Sequence, residues 1–136
     1  MKKILFLFFA VGVLMADIII SANELPKNIQ EFIKNNFKAN IGLCQKDEYS
    51  YEVYLSDGTE LDFDINGDYK EIESKFTPLS FNLLPLNIAN IVKNKYPNTS
   101  MIEIEKKINL YKIKLNNGIK IYIDYNGSIV YEKMDD

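Results

Sequence analysis

A single hairpin pattern occurs twice in this chain, and no other feature constrains the fold as strongly. Residues 51–67 read YEVYLSDGTELDFDING and residues 111–127 read YKIKLNNGIKIYIDYNG. Apolar residues recur at every second position in both, which is the period of a half-buried strand. In the first copy Tyr51, Val53, Leu55, Leu61, Phe63 and Ile65 form the inward set, and Glu52, Tyr54, Glu60, Asp62 and Asp64 point outward. Asp57-Gly58 and Asn66-Gly67 punctuate the run, since glycine supplies the positive φ that tight hairpins require.

The duplication extends beyond the hairpin. Leu25-Pro26 opens an amphipathic stretch with Ile29, Phe32, Ile33 and Phe37 on one face. Leu84-Pro85 opens another, with Ile88, Ile91, Val92 and Tyr96 at a constant offset of 59 residues. Proline suits a helix start because its missing N–H has no partner there, and Pro97 stops the second helix. One residue inserted between Thr99 and Lys107 raises the offset to 60 for the second hairpin. Strands are expected at 41–46, 49–56, 59–65 and 68–74, with counterparts at 101–106 and onward to a last strand at 128–133. The segment 17–20 is either a short edge strand or an ordered lead-in. The domain 17–136 therefore divides into repeat 1 (24–74) and repeat 2 (84–133), each one helix followed by four antiparallel strands. Neither is large enough to bury a good core alone. The expectation is an α+β fold: two tandem α-β4 repeats forming one continuous antiparallel sheet of about eight strands, with both helices on one face.

Residues 1–16 read as a signal peptide: Lys2 and Lys3 precede an apolar run from Leu5 to Met15 that is too short to span a membrane. Cleavage follows Ala16 or Ala22 and leaves no stable membrane anchor, so a periplasmic or secreted location is expected. The chain has one cysteine, Cys44, and hence no internal disulfide; its apolar neighbours make it a small buried hydrophobe. There is no histidine, which removes His-based triads and, with a single Cys, a structural zinc site. All sixteen basic residues are lysine, and loss of Lys2 and Lys3 moves the net charge from −3 to −5. Nucleic acid is therefore not the expected partner. No nucleophile–base pair stands out, so no enzyme activity and no cofactor are expected.

An exported chain with Leu-Pro opening an amphipathic helix, followed by Tyr-x-Val-x-Leu-x-x-Gly-x-x-Leu-x-Phe-Asp-x-Asn-Gly and a second copy, resembles the PepSY-like, β-lactamase-inhibitor-like proteins. The resemblance covers residues 24–133. It implies tandem α/β repeats forming a saddle-like sheet, a periplasmic or secreted location, and no common activity. It also implies a wider group whose members bind or inhibit other proteins such as peptidases or β-lactamases. The aromatic usual after Asn-Gly in the family stands here as Tyr69 in the first repeat and Ile129 in the second.

Two constellations carry chemistry of interest. Asp62, Asp64, Asn66, Gly67, Asp68 and Glu73 match the spacing of an EF-hand calcium loop. However, the flanks have strand period, and the second copy places Tyr122 and Lys133 at the first and last ligand positions. Turn-making is the first reading of this loop and weak calcium binding the alternative. The other constellation is a difference between the copies. Residues 17–76 hold 13 acids and 6 lysines, whereas 77–136 hold 6 acids and 8 lysines. Outward positions follow suit, with Glu52, Glu60, Asp62 and Asp64 in one copy against Lys112, Lys114 and Lys120 in the other. Tyr54 and Tyr122 share that face. Glu52, Tyr54, Asp62, Lys112, Lys114 and Tyr122 are the expected binding surface for a periplasmic or secreted protein or peptide. The alternative is a solvated face on a structural or envelope-stress protein without a specific ligand.

Overall fold

The computed structural model describes residues 17–134. The expected signal peptide and the end of the acidic tail lie outside them. Nine strands form one antiparallel sheet in chain order: β1 (Ile18–Ile20), β2 (Ile41–Lys46), β3 (Ser50–Leu55), β4 (Glu60–Asp64), β5 (Tyr69–Glu73), β6 (Met101–Lys106), β7 (Leu110–Leu115), β8 (Ile119–Asp124) and β9 (Ile129–Met134). The count exceeds the expected eight because Ile18–Ile20 pairs with Cys44–Lys46. Helix α1 (Lys27–Asn36) precedes β2, and α2 (Leu86–Lys95) precedes β6. Among the described residues no helix is long and apolar enough to cross a membrane.

Each helix is entered the same way. A short 3₁₀ turn, Ala22–Glu24 or Phe81–Leu83, leads into an extended leucine and then proline. The Pro26 carbonyl accepts the first helical bonds from the N–H groups of Ile29 and Gln30, so proline stands where its own missing donor costs nothing. The apolar stripes of both helices are buried through Ile29 and Ile33 in α1 and Ile88, Ala89 and Val92 in α2. They join the inward side chains of the strands in one core.

Strand register explains how that core is built. A row of paired residues, Cys44, Val53, Leu61, Ile72, Ile104, Ile113 and Ile121, crosses β2 to β8. Every member is at most 1 % exposed. At about 1.5–3 kcal/mol for each large side chain removed from water, this row and the helices above it are the main stabilising contribution. Both helices lie on this side, and the other face of the sheet is left open.

The hairpin tips differ in detail from the two-residue turns that Asp-Gly and Asn-Gly suggest. Gly58 N–H and Gly67 N–H donate three residues back, to the carbonyls of Leu55 and Asp64, and Leu55 and Asp64 N–H donate to Thr59 and Asp68. These are three-residue loops closed by a left-handed glycine, with φ of 90° and 91°. One consequence corrects the expected strand at 59–65. β4 ends at Asp64, and Ile65 sits at the loop tip, 47 % exposed rather than inward. Bulges follow in β5 and β9, where Phe63 pairs with Tyr69 and Ile123 with Ile129. Lys70 and Val130 are the extra residues.

Candidate functional site

Alternation places every second side chain of β3 to β9 on the open face, and register aligns them into two rows. The first row runs Glu52, Asp62, Glu71, Glu105, Lys112, Tyr122, Tyr131. The second runs Tyr54, Glu60, Glu73, Glu103, Lys114, Lys120, Lys133. Neighbours in a row are about 5 Å apart at Cβ, close enough to interact directly. Carboxylates thus occupy seven of eight positions on β3 to β6, and lysines or tyrosines occupy all six on β7 to β9.

The expected surface residues Glu52, Tyr54, Asp62, Lys112, Lys114 and Tyr122 all lie on this face. One feature of the expectation changes: the charge boundary does not separate the two helix-plus-strands units. It falls between β6 and β7, because Glu103 and Glu105 of β6 stand against Glu73 and Glu71 of β5. Sequence reading missed these four glutamates as members of one site. Period two marked each strand, but the pairing of β5 with β6 spans the whole connector and α2.

Partial burial and the crowding of like charges act together on these carboxyls. Carboxylate oxygens of Glu71, Glu103 and Glu105 lie within 4.8 Å of one another. Partial burial, a hydrogen bond with Glu103 and the charges of Glu105 and Glu103 push the Glu71 carboxyl up to about 7. Partial burial followed by the Asp62 charge raises Glu52. Asp62 is raised by burial, with Lys70 partly opposing. Lys112 answers the cluster from β7, with Nζ 3.6 Å from Glu103 and 3.8 Å from Glu105. Burial pulls its pKa down, but the two glutamates outweigh that and raise it. Its side chain is 17 % exposed and that of Glu103 12 %, so this pair is screened less than an ordinary surface ion pair. On the basic side of the boundary, the Tyr122 and Tyr131 rings meet at 5.6 Å.

The residues of the alternative calcium loop do not converge. Asp64 Oδ1 accepts the N–H groups of Asn66 and Asp68 at 2.9 and 3.1 Å, which closes the turn. Asp124 does the same for Asn126 and Ser128. Asp62 and Glu73 stand on the open face in different rows, whereas Asn66 and Asp68 belong to the loop at the sheet's end. Among the described residues, the carboxylates that gather into a group of three are Glu71, Glu103 and Glu105.

Tyr69 and Cys44 serve the fold. Tyr69 is buried, its hydroxyl donates to the Leu83 carbonyl at 2.7 Å, and Lys106 Nζ lies 4.0 Å over its ring. Burial raises its pKa. Cys44 is buried as a small hydrophobe, and burial raises its thiol pKa as well.

Comparison with known proteins agrees with this architecture. A family model described as "Putative beta-lactamase-inhibitor-like, PepSY-like" matches residues 49–131. No curated protein matches the chain. Among solved structures, a "putative periplasmic protein" from Bacteroides vulgatus is 29% identical, with a TM-score of 0.79 over 86% of this chain and 96% of its own. A "putative calcium-regulated periplasmic protein" from Bacteroides thetaiotaomicron is 27% identical, with a TM-score of 0.79 and the same coverage. A second Bacteroides vulgatus protein, of unknown function, is 27% identical with a TM-score of 0.78 over 87% and 99%. These relatives place the chain among periplasmic proteins. With both hairpins inside the matched segment, the chain belongs to the PepSY-like, beta-lactamase-inhibitor-like family.

Proposed function

We propose that this protein is a non-enzymatic periplasmic binding module whose open sheet face engages a protein or peptide. One observation carries the reading: two in-register rows of outward side chains, acidic on β3 to β6 and lysine- or tyrosine-bearing on β7 to β9. A face kept only for solubility has no need to segregate its charges. Mixing the two signs would lower the repulsion that, after burial, helps to lift Glu71. Segregation costs stability in the free protein and is relieved when an oppositely patterned surface docks. The tyrosines add apolar contact area with little loss of side-chain freedom.

Capture of periplasmic proteins by the immobilised domain tests this, with Tyr54→Ala, Tyr122→Ala and Lys112→Glu variants alongside. The reading expects at least one partner lost in the variants and kept by a control substitution on the outer side of α1, such as Lys34→Ala. Identical capture by all of them would refute it.

Calcium binding is the second reading, favoured by the description of the Bacteroides thetaiotaomicron neighbour as calcium-regulated. In this chain the ligands would be Glu71, Glu103 and Glu105, since carboxylate oxygens suit a hard divalent cation. Titration calorimetry with calcium alone decides it. The reading requires heat that disappears in Glu71→Gln and Glu103→Gln, and an absence of heat at millimolar calcium ends it.

A further inference from the structure

The two rows carry more than a general binding surface, because their pattern is complementary to itself. We infer that the open face docks onto the open face of a second copy of this chain, through a two-fold axis running along the strands between β6 and β7. This inference rests on the proposal that the open face is a binding surface, and it names the partner.

A rotation of 180° about an axis parallel to the strands leaves position along a strand unchanged and reverses the order of strands across the sheet. Strand β7 of the second copy then lies over β6, β8 over β5 and β9 over β4, with each row over itself. In the second row, Glu103 faces Lys114, Glu73 faces Lys120 and Glu60 faces Lys133. In the first, Glu105 faces Lys112, Glu71 faces Tyr122 and Asp62 faces Tyr131. All six pairings, and by symmetry the six reciprocal ones, set a carboxylate against an ammonium or a phenol hydroxyl. A two-fold interface requires one patch that complements itself, and a charge boundary down the middle of a face meets that requirement. Moving the axis by a single strand brings like charges together, Glu71 over Glu105 and Glu73 over Glu103 on the β5 side, or Lys114 over Lys120 on the β8 side, so the pattern selects this one axis. Facing sheets pack with strands rotated by about 30°, so the match is tightest next to the axis, where the Glu71, Glu103 and Glu105 cluster would meet the Lys112, Lys114 and Tyr122 side chains of the other copy.

Sedimentation velocity of the domain from residue 17 onward tests the inference, from low micromolar to millimolar protein. Dimerisation is expected at low salt, weakening more than about tenfold at high salt because charged pairs set the register. Two charge-reversed variants sharpen the test: K114E with K120E, and E73K with E103K, each checked for folding by circular dichroism. Each alone should remain monomeric, and an equimolar mixture should dimerise, since every reversed charge then meets its opposite. A wild-type monomer at all concentrations, or a mixture that fails to associate, overturns the inference. If the protein is monomeric yet captures a different periplasmic protein through Tyr54, Tyr122 and Lys112, only the second-copy partner is refuted and the binding proposal stands. If it is monomeric and no capture depends on the face, both fail.

Discussion

Gly67 shows how one position can be fixed from two directions. Its φ of 91° lies in the left-handed region, where a β-carbon costs roughly 1–2 kcal/mol. A β-carbon there would also run into the Asn28 side chain, whose Nδ2 donates to the Asn66 carbonyl at 3.0 Å and ties α1 to the loop. Gly67→Ala should therefore lower unfolding stability by about 2–3 kcal/mol in urea titration. Gly127→Ala would crowd the flexible tip of Ile91 and make ordinary contact with Asn87, and should cost less. Glu71 is the other decisive residue. Folding favours its protonated form, because its carboxyl is raised to about 7 in the cluster. That contribution is fully present below the ordinary glutamate range and is lost as pH rises through about 7. Glu71→Gln should thus raise the melting temperature at pH 8, leave it nearly unchanged at pH 5, and flatten the slope between. Solvent screening of this partly exposed group holds the gain to on the order of 1 kcal/mol. A parallel pair of pH profiles would refute the assignment.

The connector between β5 and α2 is held at element scale by Tyr69. Its hydroxyl satisfies the Leu83 carbonyl in the 3₁₀ turn that precedes α2, inside the core. Phe32 stacks beside it at 5.6 Å, so one ring links α1, β5 and the approach to α2. Tyr69→Phe keeps the ring and strands the carbonyl, and should cost about 1–3 kcal/mol. Hydrogen exchange should show the loss first in residues 81–90. At the other end of the sheet, β9 is tied to α2 by Glu132, which accepts from Lys95 Nζ at 2.6 Å and from the Tyr96 hydroxyl. These hydrogen bonds lower the Glu132 pKa. Strand positions, helix positions and loop glycines were all readable in the sequence because each depends on local period and turn chemistry. The bulges that displace Lys70 and Val130 were not, since they are set by the partner strand.

For the molecule as a whole, segregated charge predicts a salt response. At protein concentrations low enough to keep wild type monomeric, added salt should raise its melting temperature, by screening Glu52, Asp62, Glu71 and Glu105 along their row. It should raise that of Glu71→Gln less, since the most crowded charge is already gone. A fall with salt in wild type would mean that the Lys112 pairs outweigh the repulsion.

Sequence alone determined the half-buried strands, the two helix entries, the absence of histidine chemistry and the acidic and basic character of the two hairpins. Each follows from residue type and short-range spacing. Only the tertiary structure decided where acid meets base. The pairing of β5 with β6 is a contact between residues 30 or more apart in the chain, set by the need of both helices for one shared core. That pairing brings Glu71 against Glu105 and Glu73 against Glu103. It thereby moves the charge boundary from the junction of the two units to the line between β6 and β7.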